Sequence, residues 1–291
     1  MNNNEIAIAV ENLEYVYEPQ GLRANKGISL TVHRGEFVGI VGHNGAGKTT
    51  LLKNLVGLLL PTGGRVAVDG LDTRQTTVAE LATRIGFVMQ NPDQQLFAAT
   101  VEEEIAFGPR NLGLAEEEEI TERVQAAIAL TGLDALRQEF PPALAKGDRA
   151  KVIIASVLAM QPDIFVFDEP TTGQDYKGCH QIMQIARQLH REGRTVLVVT
   201  HDMALIAEYT ERTIVLCQGE ILLDDTTAAV FAQPENLQRA QVTPPQITQL
   251  AQALPRELGL PACALTVEQL GQPIVERVRT NQALDLTMPL R

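Results

Sequence analysis

The run Gly42-His43-Asn44-Gly45-Ala46-Gly47-Lys48-Thr49 sets glycines, a lysine and a threonine in the spacing of a phosphate-binding loop. Glycines let a backbone curl until successive N–H groups point inward at phosphate oxygens. In such a loop Lys48 reaches the β- and γ-phosphates and the Thr49 hydroxyl ligates Mg²⁺. Residues 37–41, Phe-Val-Gly-Ile-Val, form a short apolar run suited to a buried parallel strand. Residues 50–55, opening at Thr50, read as a helix whose positive N-terminal end faces the phosphates. A plain glycine turn is the competing reading, and these flanks disfavour it. The loop therefore implies a bound nucleotide.

A second constellation lies far downstream, where residues 164–167 are apolar and run into Asp168 and Glu169. This is the form of a Walker B motif. Asp168 then holds Mg²⁺ opposite Thr49, and Glu169 sits nearer the γ-phosphate, able to orient or deprotonate an attacking water. Taken alone, a strand ending in two carboxylates is also a plausible surface strand stop; the phosphate loop decides for chemistry.

These groups need a scaffold. Residues 6–10 and 28–32 read as an antiparallel pair ahead of the loop. Further strands are expected at 65–68, 85–88, 164–167 and 196–199, separated by helical patterns, which predicts an α/β fold with a mainly parallel sheet. Residues from about 95 to 160 show no strand and read as a helical subdomain, with Glu116 to Glu119 as a solvated acidic first turn. Residues 213–216 and 220–223 flank Gln218-Gly219, a hairpin signal. Past about residue 236 prolines punctuate short segments, Ile247, Leu250, Ala251 and Leu254 fall at helical spacing, and Thr266-Val267-Glu268-Gln269 has the form of a capping box. The expected division is a nucleotide-binding domain over 5–235 and a small C-terminal domain over 236–291.

Composition sets bounds on function. At 291 residues with 45% hydrophobic content, the chain can bury a substantial core, and its formal net charge of −12 argues against a broad nucleic-acid footprint. Cys179, Cys217 and Cys263 lack metal-binding spacing and even pairing, so idle thiols in a reducing compartment are expected. No signal peptide is apparent at the N-terminus, and the apolar run 152–160 is too short to span a bilayer. Work at a membrane would need another chain to hold this one there.

In this order the motifs resemble those of ABC transporter ATPase subunits, over about residues 5 to 235. The resemblance implies a P-loop NTPase core of the ABC ATPase type, with ATP and Mg²⁺ as cofactors. Tyr17 stands where the family places an aromatic on the adenine face, although core packing serves the same residue. Gln90 matches the Q-loop glutamine, which links Mg²⁺ and water to the transmembrane partner. Asp175 matches the D-loop aspartate and His201 the switch histidine that contacts the γ-phosphate.

One motif departs. The family signature Leu-Ser-Gly-Gly-Gln opens a helix and caps the γ-phosphate bound to the opposite subunit. The matching residues here are Leu144-Ala145-Lys146-Gly147-Asp148, ahead of a helix expected over 149–160. Ala145 removes a hydroxyl donor worth about 1–3 kcal/mol, Lys146 crowds a glycine position, and Asp148 could cap the helix but would repel a triphosphate. Because ABC sites are composite, this predicts a heterodimer with a second ABC ATPase that carries an intact signature.

The segments 91–97 and 100–109 resemble the energy-coupling-factor (ECF) group, which includes cobalt and nickel importer subunits. They imply docking on a transmembrane coupling subunit, a separate membrane subunit that binds the cargo, a vitamin or transition metal, and a place on the cytoplasmic face of the membrane. A nucleotide-holding silent subunit and a soluble ABC protein acting on ribosomes or DNA remain as alternatives. The intact Lys48, Asp168, Glu169 and His201 oppose the first; acidity and the single short cassette oppose the second.

Overall fold

The computed structural model describes residues 5–91 and 95–279. Two sheets carry the chain. The first is antiparallel, in the order β2–β1–β4–β5, from β1 (Ile6–Tyr17), β2 (Leu22–His33), β4 (Gly63–Val68) and β5 (Leu71–Asp72). The second has the order β10–β9–β3–β8–β7–β6, built from β3 (Phe37–Val41), β6 (Ile85–Val88), β7 (Ile164–Asp168), β8 (Thr195–Val199), β9 (Arg212–Cys217) and β10 (Glu220–Thr226). Its strands pair in parallel from β9 to β6, and only the β9–β10 hairpin is antiparallel. Gln218 (φ 52°) and Gly219 (φ 89°) make the turn, the conformation that a two-residue hairpin of matching twist requires.

The central strands are apolar on both faces because both are covered. Phe37 and Val41 of β3 pack into one core cluster and Val38 and Ile40 into another; Phe165 and Phe167 of β7 divide from Ile164 and Val166 in the same way. The covering helices are α1 (Lys48–Leu55), α2 (Val78–Ala82), α6 (Tyr176–Arg191), α7 (Met203–Tyr209), α8 (Thr227–Phe231) and α9 (Pro234–Arg239). Between β6 and β7, α3 (Val101–Asn111), α4 (Glu117–Thr131) and α5 (Lys146–Met160) close a third core around Ile105, Ile128 and Val152. Thr100 caps α3 by accepting the Glu103 N–H, and Glu117 to Glu119 occupy the first turn of α4.

After α9, α10 (Gln246–Ala253) and α11 (Val267–Arg279) enclose a small cluster of Ala251, Ala264 and Leu270. Thr248 Oγ1 donates to Ala264 O at 2.6 Å, and Gln252 Nε2 to Phe231 O at 2.8 Å, which ties this segment to α8. Leu250, expected on the apolar face of α10, is 51% exposed instead. Thr266 accepts the Gln269 N–H at 3.3 Å, but the Gln269 side chain accepts from Leu265 N, one residue before the capping-box position.

Two differences from the sequence reading bear on the site. β1 and β2 are longer than expected, and their hairpin reaches Tyr17 by absorbing register shifts. α1 begins at Lys48 and α5 at Lys146, so Lys48, Thr49 and residues 146–148 occupy first helical turns. Pro92, Asp93 and Gln94, part of the ECF-like segment, lie outside the described residues.

Candidate nucleotide site

Topology makes the site. β8 lies between β3 and β7, and Ile40, Val199 and Asp168 are in register across the three strands. The loops after these strands therefore leave from one carboxyl edge, where α/β sheets place their ligands. They carry Lys48, His201 and Glu169 respectively.

The phosphate loop is held close to its neighbours. A Cβ on Gly42 would sit 2.2 Å from Leu216 O, and one on Gly47 2.4 Å from Ala24 O; both residues also have positive φ, 148° and 100°. Ala46 is buried, while Asn44 and Gly45 are exposed at the tip. His43 Nδ1 lies 2.7 Å from Asn44 O, and its Nε2 accepts the Gln218 N–H at 3.4 Å. Lys48 is buried, and its Nζ donates to Gly42 O at 2.7 Å and His43 O at 3.0 Å. Burial pushes its ammonium below the ordinary lysine range, against the pull of Glu169 and Asp168.

Asp168 is 2% exposed and burial raises its pKa; the Thr49 side chain hydrogen-bonds its carboxylate, whereas Oδ1 is buried without a partner. An orphaned carboxylate oxygen beside a threonine hydroxyl is a hard-oxygen donor pair that suits Mg²⁺. Among the described residues no group of three or more His, Cys, Asp or Glu could hold a metal.

Glu169 has φ 53°, a left-handed conformation that costs a non-glycine residue of order 1–2 kcal/mol. Its N–H donates to Val199 O at 2.9 Å and its carbonyl accepts the Thr172 N–H, which fix the bend. The side chain, 6% exposed, is turned so that Oε1 lies 2.9 Å from His201 Nε2. That contact is misaligned, and Oε1 keeps no well-formed hydrogen bond. Burial raises the Glu169 pKa, opposed by Lys48 and by the His201 backbone N–H, with Asp168 adding to the rise. Burial and Lys48 together lower the pKa of His201, which favours a neutral imidazole at neutral pH.

The remaining sequence-selected residues fall around this centre. Tyr17 is half-buried; its hydroxyl is 3.1 Å from Thr50 Oγ1 and its ring meets Tyr15 edge-on at 4.8 Å. Gln90 is exposed after β6 and shares a narrow crevice with Glu169, Lys146 and Thr172. Ala145 is the N-cap of α5 without a side-chain hydrogen bond, and Asp148 pairs with Lys151 at 3.3 Å rather than capping the helix. Lys146 lies over the D-loop, its Nζ 2.6 Å from where a Cβ of Gly173 would stand, and Gly147 faces Gln174. Asp175 caps α6 by accepting the Gly178 N–H at 2.7 Å. Sequence reasoning missed Asn25, which is buried under the loop and bonded to Gly47 O; one polar residue early in a strand carries no signal.

These strands and this loop define a P-loop α/β nucleotide-binding core. A family model described as ABC transporter matches residues 25–172. The Energy-coupling factor transporter ATP-binding protein EcfA2 of Clostridium perfringens is 37% identical over 285 residues, which cover 95% of this chain and 100% of that protein. The solved structure of cbiO1 from Clostridium perfringens, described as part of the ABC transporter complex cbiONQ, superposes with a TM-score of 0.72 at 34% identity, over 86% of this chain and 100% of that one. A dimeric post-hydrolysis ATP-binding cassette bound to ADP and Pi superposes with a TM-score of 0.69 at 30% identity, over 76% of this chain and 98% of that one. The chain belongs to the ABC transporter ATP-binding family and resembles its ECF members. It spans 41–44% of the length of three further ABC transporter ATP-binding proteins to which it is 41–43% identical.

Proposed function

We propose that this chain is the ATP-binding and ATP-hydrolysing subunit of an ECF-type membrane importer for a vitamin or transition metal, working in a heterodimer. The observation that carries the proposal is the convergence of Lys48, Asp168, Glu169 and His201 at one edge of three adjacent strands. The loop residues Gly42 to Thr50 cradle the phosphates, and Lys48 exchanges its two carbonyl partners for β- and γ-phosphate oxygens. Tyr17 stacks on adenine. Thr49 and Asp168, with Gln90, would hold Mg²⁺, and the ion would supply neutralisation of phosphate charge. Glu169 takes the proton of the attacking water, and its raised pKa brings it nearer the range of a base working at neutral pH. His201, neutral and movable from its misaligned contact, reaches the γ-phosphate.

The altered signature Ala145-Lys146-Gly147-Asp148 faces the partner's nucleotide in this reading. The partner's intact signature completes the site built on Lys48 and Glu169. Phe107, 46% exposed, rims an apolar groove lined by Leu58, Val78 and Met160, and Phe97, 60% exposed, packs edge-on against it at 4.6 Å; together they form the docking point for the coupling subunit. Among the described residues no helix is long and apolar enough to cross a membrane. Attachment to the cytoplasmic face through that subunit is part of the same proposal. The small C-terminal domain belongs to the same proposal and is supported by the separate cluster of α10 and α11; Leu237, Ala240 and Val242, beyond the expected boundary near residue 236, pack into the main core, so that cluster starts after them.

Co-expression with the products of neighbouring genes tests the whole. The expected result is a membrane complex containing this chain and a second ABC ATPase, with Mg-ATP turnover. Brisk hydrolysis by a homodimer of this chain alone refutes the heterodimer.

A further inference from the structure

β2 contains one fully buried polar side chain, Asn25, in a strand whose other inward residues include Ile28, Leu30 and Val32. Its Nδ2 donates to Gly47 O at 3.2 Å. The same carbonyl accepts the Leu51 N–H at 2.9 Å, a first-turn hydrogen bond of α1. Loop and strand are in direct contact here, since a Cβ on Gly47 would stand 2.7 Å from Asn25 Nδ2. The other amide atom, Oδ1, is buried with no partner. Exchanging the two ends of the amide would set two acceptors against each other, so the donor must face the loop.

An orphaned buried amide oxygen costs folding free energy, and leucine, of similar size and shape, would avoid that cost. Asn25 is therefore worse for stability than an apolar residue of its own shape, and its one side-chain hydrogen bond goes to the phosphate loop. The loop's far side is held by the backbone pairs Lys26 N to Gly219 O at 2.9 Å and Gly219 N to Ala46 O at 3.1 Å and by His43 Nε2, which accepts the Gln218 N–H at 3.4 Å; Asn25 grips the Gly47 carbonyl from β2. The Gly47 peptide, at φ 100° and ψ 5°, sets the direction of the N–H groups that follow it. A carbonyl gripped from both α1 and β2 cannot turn toward the phosphates, where its oxygen would repel them.

We propose that Asn25 is a positioning residue for nucleotide binding, tethering the phosphate loop through the Gly47 carbonyl. The proposal rests on the nucleotide-binding reading of the loop. The test is Asn25→Leu in the full chain, with Mg-ATP as the probe. The melting temperature is expected to rise by about 2 °C, the Kd for Mg-ATP to rise about tenfold, and the Leu51 amide to exchange faster in nucleotide-free protein. A merely structural Asn25 would lower stability and affinity together, and that outcome overturns the proposal, as does unchanged affinity. If the wild-type chain binds no Mg-ATP, the nucleotide reading fails by itself, and unchanged exchange at Leu51 then refutes the tether independently. Should Asn25→Leu not fold, Asn25→Asp keeps the shape and replaces the donor with an acceptor. The same tenfold loss is expected, and wild-type affinity in that variant refutes the tether.

Discussion

With Glu169 as the proposed general base, Glu169→Gln should separate binding from chemistry at this site. The substitution keeps the size of a side chain that is 6% exposed, and the backbone bonds that fix its left-handed bend, Glu169 N to Val199 O and Thr172 N to Glu169 O, are untouched. Lys48, Thr49 and Asp168 keep their positions, so Mg-ATP affinity should hold. What is lost is the base, because an amide cannot take the proton of the attacking water. Loss of a general base lowers turnover about 10²–10⁴-fold, or roughly 2.7–5.4 kcal/mol of barrier. The structure adds a second readout. Burial raises the Glu169 pKa, so the folded state binds the proton more tightly than the unfolded state. The carboxylate's cost to stability thus develops as pH rises through the ordinary glutamate range toward the raised folded value. Nucleotide-free Glu169→Gln should melt above wild type at neutral pH, with the gap closing in acid. Single-turnover hydrolysis in the assembled complex and paired melting curves measure both. Unchanged turnover, or a melting advantage that grows in acid, refutes the reasoning.

Lys48→Ala should weaken Mg-ATP binding about 10–100-fold, the scale of losing hydrogen bonds from a charged group, measured by titration of the full chain. Phe97→Asp and Phe107→Asp change exposed rings and should move stability by only about 0.5 kcal/mol, yet detach the coupling subunit in a pull-down while Mg-ATP binding persists. In the proposed heterodimer, disabling this chain's Glu169 should abolish most turnover, whereas the equivalent change in the partner should cost far less; equal losses count against the asymmetric assignment. Ala145→Ser with Lys146→Gly should raise turnover at the partner's site at little net cost to stability. The new N-cap contributes about 1 kcal/mol and the helical glycine removes a similar amount.

What the sequence alone determined was local. Glycine spacing fixed the phosphate loop, because only glycine tolerates the close approach at Gly42 and Gly47. Apolar runs marked β3, β7 and β8, buried on both faces, and Gln218-Gly219 marked the hairpin. The helical subdomain was legible from the absence of any strand pattern between residues 95 and 160. Element starts were less legible: α1 and α5 open inside the motifs, since a first turn needs only backbone geometry and no particular side chain. The tertiary structure alone decided which residues meet. The strand order β3–β8–β7 is a property of sheet topology, and it brings His201 within 2.9 Å of Glu169. The raised pKa of Glu169, the orphaned oxygen of Asp168, the lie of Lys146 over Gly173 and the grip of Asn25 on Gly47 arise the same way. Each depends on burial and on contacts between residues far apart in the chain, and neither has a periodicity that a sequence could display.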